Sequence, residues 1–495
     1  MKTQPPVIKN EDYVMTITDI GSEGQGVGKI DGFTIFVPEA LPEEEIEVKI
    51  TKVNKSFAFG RMMKIIKASQ YRVQPVCELA KRCGGCSLQH MSYEAQLKFK
   101  TKRVKDAMER IGGFSDVTVL DAIGMENPYN YRNKAQFPVR KDKDGLKIGF
   151  YAKRSHNIVD CKSCKIQHVV NDKIIAIVRK YIEENDVPVY SEETGKGLVR
   201  HIITRVGFVT GEIMVCIVAN GAKLPNSEAL INELQEIESM TSIVLNVNRE
   251  RTNVILGNKV KLLWGKEFIT DFIGNVKFEI SPLSFFQVNP VQTKILYQKA
   301  IELAGLTGTE NVLDIYCGIG TISLFLAQKA KKVMGVEIIP EAIVDARKNA
   351  QINGMENVEF RVGSAEDIIP IIKEEGFKPD VVVIDPPRKG CDIAVLEAIV
   401  AMGPKKVVYV SCEPSTFARD LKFLSENGYG LGSVQPVDQF CHSNHVETVV
   451  LLSHKNADTH INVNVEFGEG QGKIPVGKIV EKAEDYRLSK RVTYK

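Results

Sequence analysis

The sequence predicts an α/β protein. A parallel, doubly wound sheet occupies the C-terminal part, behind a small N-terminal β-barrel and a mixed α+β middle region. Three observations carry that prediction. From about residue 276, the β-branched runs NVLDIYC, KVMGVEI, VEFRVG, DVVVIDP and KVVYVSC alternate with helical stretches, the pattern of strands buried on both faces. From Val14 to Ile66, short β-rich runs are punctuated by glycines. Between the two, helical and strand patterns mix, and most of the clustered cysteines fall there.

The barrel rests on period-two runs such as Thr34-Ile35-Phe36-Val37 and Glu45-Ile46-Glu47-Val48-Lys49-Ile50, with glycine supplying the positive φ that tight turns need. A five-stranded oligonucleotide-binding type fits them. In the middle region, LKFKTKRVKD concentrates Lys98, Lys100, Lys102, Arg103 and Lys105 on one helix, a pattern that by itself describes a solvated face. The segment PYNYRNKAQFPVRK at 128–141 adds weight to an RNA-binding reading. It interleaves Tyr129, Tyr131 and Phe137 with Arg132, Lys134, Arg140 and Lys141, and single-stranded RNA is gripped by cations on phosphates and rings on bases. Arg132, Lys134 and Phe137 are the candidate contacts. In the last sheet, a helix is expected from Pro340 to a stop at Gly354. The resulting divisions are 1–68, 69–275, 276–453 and a polar extension 454–495 that shows no chemical motif.

A chain of 495 residues suits about three domains. The formal net charge of +3 is too small to announce a polyanionic partner, so local charge matters more. No signal-peptide core and no apolar run of membrane-spanning length is present, which predicts a cytoplasmic protein with no membrane association. In a reducing compartment the ten cysteines point to metal binding or catalysis sooner than to disulfides.

The chemistry concentrates at the carboxyl ends of the C-terminal strands. Asp314-Ile315-Tyr316-Cys317-Gly318-Ile319-Gly320 leaves a strand and opens a helix, so its glycines let the backbone approach a ligand. The next strand ends in Glu337, near the offset of roughly 20 residues at which an acidic group binds ribose hydroxyls. Ile322-Ser323 stand where a dinucleotide site wants a third glycine, which favours S-adenosylmethionine over a nicotinamide cofactor. Farther on, Asp385-Pro386-Pro387-Arg388 reaches the same edge, a short rigid turn of the type that methyltransferases place beside planar nitrogenous groups. Ser411-Cys412 follows, ahead of a helix whose N-terminus lowers a thiol pKa.

Carbon 5 of uracil is a poor nucleophile, but thiolate addition at carbon 6 makes it reactive toward a sulfonium methyl. A base must then take the carbon 5 proton. Glu447 is the candidate, with His445 second.

On YRNKAQFPV, GFYAKRSHNIVD, SFFQVN, LDIYCGIGT, DPPRKG, YVSCEPSTFARDL and HVE, the chain from about 14 to 453 resembles bacterial 23S ribosomal RNA uracil-5-methyltransferases of the RumA type. That resemblance implies an RNA-gripping TRAM barrel and a Rossmann-like, S-adenosylmethionine-dependent methyltransferase domain. It implies cofactor contacts at Gln287, Tyr316, Gly318, Glu337 and Asp385, with Cys412 as nucleophile and Glu447 as base. The implied partner is 23S rRNA, with no protein partner. Cys77, Cys83, Cys86 and Cys164 would by spacing suit zinc or iron–sulfur equally; the resemblance implies a [4Fe-4S] cluster.

Some positions depart from the family pattern. Lys165 stands at a usual proline, Cys161 lies close before Cys164, Cys441 replaces a proline, and Glu413 replaces an asparagine where its charge is expected to raise the thiol pKa. Cytosine-5 methylation is the nearest rival, and it wants a second cysteine where Arg388 stands. Transfer RNA is the rival substrate, disfavoured because the bacterial tRNA enzyme typically lacks barrel and cysteine cluster. An RNA-binding module with an inactive methyltransferase domain is opposed by Cys412, Glu447 and the cofactor motif standing in one chain.

Overall fold

In the computed structural model, which describes residues 5–455, the N-terminal strands β1 (Asp12–Ile20), β2 (Gly26–Ile30), β3 (Phe33–Val37), β4 (Glu45–Val53) and β5 (Phe57–Lys67) close into a barrel. Their order is β1-β2-β3-β5-β4, antiparallel except for β3 with β5. The period-two pattern seen in the sequence fills the interior: Ile35, Val37, Ile46, Val48 and Ile50 are fully buried. Gly60 is required there, since a Cβ would stand 2.2 Å from Val48 Cγ2. The 456–495 part of the expected extension lies outside the described residues.

Helix α1 (Tyr93–Ala107), capped by Ser92 accepting from Ala95 N, ends in a single π-turn at Met108–Gly112. The central sheet follows: β6 (Lys134–Asp142), β7 (Gly145–Tyr151), β8 (Ile158–Asp160), β9 (Val199–Val206), β10 (Ile213–Ala219), β11 (Met240–Val247) and β12 (Lys259–Gly265), ordered β12-β11-β10-β9-β6-β7-β8. Helices α2 (Val170–Glu184) and α3 (Ser227–Gln235) pack on it, with Ile174, Ile175, Val178, Leu230 and Leu234 in one core with Ile202, Val215, Ile217 and Leu245.

A hairpin of β13 (Ile269–Ile273) and β14 (Val276–Ile280) straddles the expected boundary at 275, and both strands pack on the C-terminal core. The C-terminal sheet then runs α4 (Pro290–Ala304), β15 (Asn311–Ile315), α5 (Thr321–Ala327), β16 (Lys332–Glu337), α6 (Pro340–Ile352), β17 (Val358–Val362), α7 (Ala365–Glu374), β18 (Val381–Ile384), α8 (Ile393–Met402), β19 (Lys406–Ser411), α9 (Pro414–Glu426), β20 (Tyr429–Leu431), β21 (Gln435–Val437) and β22 (Glu447–His454). Strand order is β17-β16-β15-β18-β19-β22-β20, with β21 also on β22.

The five strands read from β-branched runs are the parallel ones. Helix α6 starts at Pro340, and Gly354 takes φ +62° just past its end, as the caps require. The sheet carries an apolar core on each face. Val104, Ala107 and Met108 from the α1 segment are part of one of them, so this helix packs with the C-terminal sheet although its sequence lies in the middle region. Among the described residues, no helix is long and apolar enough to cross a membrane.

Candidate active site

Parallel strands end at one edge, and the loops there hold the predicted cofactor residues. After β15, Tyr316 sits at φ +69°, a left-handed conformation that a bulky side chain adopts only when its surroundings enforce it. Tyr316 N and Cys317 N both donate to Val336 O, at 2.9 and 3.0 Å, which pulls the turn over the end of β16. Gly318 and Gly320 take φ +56° and +82° before α5 begins. Glu337 closes the group: its carboxylate accepts from Gly318 N at 3.2 Å and from Ile339 N at 3.0 Å. Gln287 is buried in the loop before α4, where its carbonyl accepts from Asn133 Nδ2 at 2.9 Å. Behind the turn, buried Asp314 accepts from Ser323 Oγ, and burial pushes its carboxyl up to about 7, with Asp385 and Glu337 adding repulsion.

Cys412 leaves β19 and Glu447 opens β22. These strands are antiparallel with Ser411 opposite Thr448, so Cys412 and Glu447 stand side by side one step beyond that pair. Asp385 leaves the neighbouring β18. Glu447 is 3% exposed and its Oε2 has no hydrogen-bond partner. Burial, then the Asp385 charge, drive its carboxyl well above the usual range against the pull of Arg388. Asp385 is itself pushed up to about 6 by burial. The pair therefore competes for protons in a site where the nearby cation is Arg388.

Two expectations about the thiol are corrected here. Cys412 is not lowered but pushed up to about 12, because burial and the charges of Glu447 and Asp385 outweigh the Arg388 guanidinium. Glu413 is not the source of that repulsion. Its carboxylate accepts from both Nη2 of Arg103, at 3.2 Å to each oxygen, and Ser415 N at 3.3 Å, so its charge is paired. His445 is held neutral, pushed down to about 4 by burial and by Arg388 and Arg103, and its Nδ1 is unpartnered. The sequence brings Arg388 to this edge with the Asp-Pro-Pro turn and uses it as a mark against cytosine; its charge acting on Cys412 and Glu447 is what the sequence reading lacks.

The middle region requires further corrections. Phe137 is 2% exposed, packed in the central core and against Phe150 at 5.0 Å between ring centroids, so it offers no face to a base. Tyr131 is equally buried, with its hydroxyl donating to Cys441 O at 3.1 Å. Tyr129 stacks on His442 at 4.7 Å. The basic run on α1 is largely paired: Lys100 is buried against Asp438, Lys98 pairs with Glu94, and Lys102 with Asp106 and Asp19.

Cys77, Cys83, Cys86 and Cys164, together with Cys161, line one cavity of about 320 Å³, and Arg132 and Lys134 line it too. Burial, then repulsion from Arg205 and Arg132, bring Lys134 down to about 7. Among the described residues no three histidine, cysteine or acidic side chains converge tightly enough to hold a single metal ion.

Residues 92–455 match the tRNA (uracil-5-)-methyltransferase family, and residues 10–63 match the TRAM domain. An RNA methyltransferase of Clostridium tetani whose role is uncharacterised is 55% identical over 92% of this chain and 99% of its own length. Another, from Halalkalibacterium halodurans, is 52% identical over 92% and 100%. Among solved structures, the Pyrococcus abyssi tRNA (uracil-54, C5)-methyltransferase in complex with S-adenosyl-L-homocysteine superimposes with a TM-score of 0.71 at 32% identity, covering 88% of this chain and 99% of that one. With a closed five-stranded barrel in front of a doubly wound sheet, and matches of this extent, the chain belongs to the tRNA (uracil-5-)-methyltransferase family and carries a TRAM domain.

Proposed function

We propose that this protein methylates carbon 5 of a uridine in 23S rRNA through a covalent adduct between Cys412 and carbon 6. The observation that carries the reading is the register of β19 with β22, which sets Cys412 beside the buried carboxyl of Glu447 at the edge where the glycine turn and Glu337 lie.

The residues fit S-adenosylmethionine. Glu337 faces the turn through Gly318, Tyr316 is held in its strained conformation there, Asp385 leaves the neighbouring strand, and Gln287 is buried in the loop before α4. Bound by these side chains, the cofactor would supply an electrophilic methyl group. The chain's own residues do the rest. Cys412 reacts as the thiolate, its proton having passed to solvent; the sulfur bonds to carbon 6, and the electron pair of the carbon 5–carbon 6 double bond moves to leave an enolate whose carbon 5 is nucleophilic. Once carbon 5 is methylated, Glu447 takes its proton and the ring expels the thiolate. A carboxylate desolvated as Glu447 is binds a proton strongly, which suits it to that step. Arg388 offsets the negative charge that gathers on sulfur.

Cys77, Cys83, Cys86 and Cys164 line one cavity of about 320 Å³, and four thiols around a single space are a donor set that would suit a [4Fe-4S] cluster. Arg132 and Lys134 on its wall offset the negative charge of such a cluster, and from there they are the candidates for RNA phosphate contact.

A second reading, transfer RNA as substrate, is favoured by one finding. The Pyrococcus enzyme, named for tRNA, aligns over 88% of this chain, so domain content does not separate the two RNAs. The test is transfer of labelled methyl to undermodified rRNA and tRNA by wild type and Cys412→Ala, with nucleosides read by mass spectrometry. 5-Methyluridine in 23S rRNA that vanishes with the variant supports the proposal; label confined to tRNA moves the substrate, and 5-methylcytidine refutes the base assignment.

A further inference from the structure

We propose that Arg103 is a positioning residue that ties the turn carrying the nucleophile to the strap carrying the base. The inference rests on the reading of Cys412 and Glu447 given above. Residues 438–446 form that strap, which leads from β21 into β22. It lies along one face of α1, where Tyr93, Gln96, Lys100 and Arg103 follow at helical spacing. Tyr93 donates to Asp438 Oδ2 at 2.7 Å, and Lys100 Nζ to Asp438 Oδ1 and to Phe440 O. Gln96 meets His442 through both its side-chain Nε2, at 3.2 Å, and its Oε1, at 3.1 Å. Arg103 Nη1 donates to Asn444 O, the last of these contacts before Glu447.

Of the four side chains, Arg103 alone also reaches the nucleophile's side. Its Nη2 lies 3.2 Å from both carboxylate oxygens of Glu413, the residue after Cys412 and the N-cap of α9. Its side chain is 8% exposed and that of Glu413 23%, so the pair is shielded from solvent screening. A guanidinium suits this role because its planar fork can hold two acceptors in fixed directions, which an ammonium cannot.

The bridge also sets charge. The groups around the Cys412 sulfur and its turn are Asp385 and Arg388 after β18, His445 and Glu447 on the strap and β22, Glu413 on α9, and Lys100 and Arg103 on α1. Lys100 is committed to Asp438, and His445 is neutral. Without Arg103, Glu413 would stand as a third carboxylate near the thiol, opposed by Arg388 alone.

The test uses the full-length protein and two readouts: the rate of peptide-resolved alkylation of Cys412 by iodoacetamide at one fixed, mildly alkaline pH, and methyl-transfer kinetics on undermodified RNA. Arg103→Gln is expected to slow Cys412 alkylation about tenfold, and to lower kcat about tenfold or more with KM for S-adenosylmethionine unchanged. Glu413→Gln added to it should restore the alkylation rate, while kcat stays low because Asn444 remains untethered. Arg103→Lys, which keeps the charge if the glutamine variant fails to fold, should leave the alkylation rate in place and still lower kcat.

A falling melting temperature with alkylation rate and kcat unmoved would make Arg103 merely structural and overturn the proposal. So would a slowed alkylation that Glu413→Gln does not restore. The alkylation rate needs no RNA, so it still reports on Arg103 if Cys412→Ala proves to methylate normally and the reading of the site itself falls.

Discussion

Glu447 shows how one buried side chain constrains the chemistry. Its Oε2 is without a partner, and Arg388 is the cation that opposes the rise of its carboxyl. An unpaired carboxyl in such a place is costly for the fold and so is retained for what it does. Glu447→Gln keeps shape and removes basicity. The covalent RNA adduct should accumulate, with turnover lowered by about 10²–10⁴-fold; normal turnover with no adduct would remove Glu447 from the role and bring His445 forward.

Asp314 makes a second residue-scale prediction. Its carboxyl rises from 3.8 to about 7 on folding, so the folded chain holds that proton more tightly than the unfolded chain. The sign follows: this group's contribution is complete below about pH 4 and is lost as pH rises toward 7, by at most about 4 kcal/mol. Asp314→Asn should flatten the pH dependence of Tm across that window relative to wild type, and parallel profiles would show that the buried proton is not there.

At the scale of elements, β6 decides between a recognition motif and a core strand. Ala135, Phe137 and Val139 alternate into the interior, and the strand pairs with both β7 and β9, so the ring that looked like a base-stacking platform is held between neighbours. Phe137→Ala should cost about 3–5 kcal/mol of stability and leave the salt dependence of RNA binding unchanged; a changed salt slope in a stable variant would return Phe137 to the interface.

The alternation Ala135, Phe137, Val139 is present in the sequence and marks a buried face, but the cations interleaved with it make Phe137 look like an RNA-stacking ring. Local pattern sufficed for β15 to β19, whose β-branched runs mark strands buried on both faces, and for the proline and glycine that bound α6. It also put Cys412, Glu337 and Asp385 on one sheet edge. It did not suffice where partners are remote. The insertion of β22 between β19 and β20 is a long-range antiparallel pairing with no local signature. The charges of α1 read as solvated because Asp438, which neutralises Lys100, and Glu413, which neutralises Arg103, stand more than 300 positions away.

In the whole molecule, the strap before Glu447 is where the barrel, the cysteine loop and α1 meet. The TRAM barrel touches it through Ser22 O, which accepts from Asn444 Nδ2 at 3.2 Å. The cysteine loop holds it through the amides of Ser87 and Leu88, both donating to His442 O at 3.0 Å, immediately after Cys86. Tyr131, Ile166 and Cys441 form one small apolar cluster against Cys86 and Cys164. Methyl transfer by this route needs no electron, so a cluster in that loop would act through rigidity: fixing Cys86 fixes the amides beside it, and these fix the approach to the base.

Protein purified without oxygen is therefore expected to be brown, with about four iron per chain. Cys164→Ser should lower the iron content and reduce kcat, while KM for S-adenosylmethionine holds, because the glycine turn and Glu337 lie on β15 and β16 rather than on the strap. Stoichiometric zinc without iron would refute the cluster. Iron-free protein with undiminished kcat would show that the strap is held by α1 and the loop's own hydrogen bonds alone.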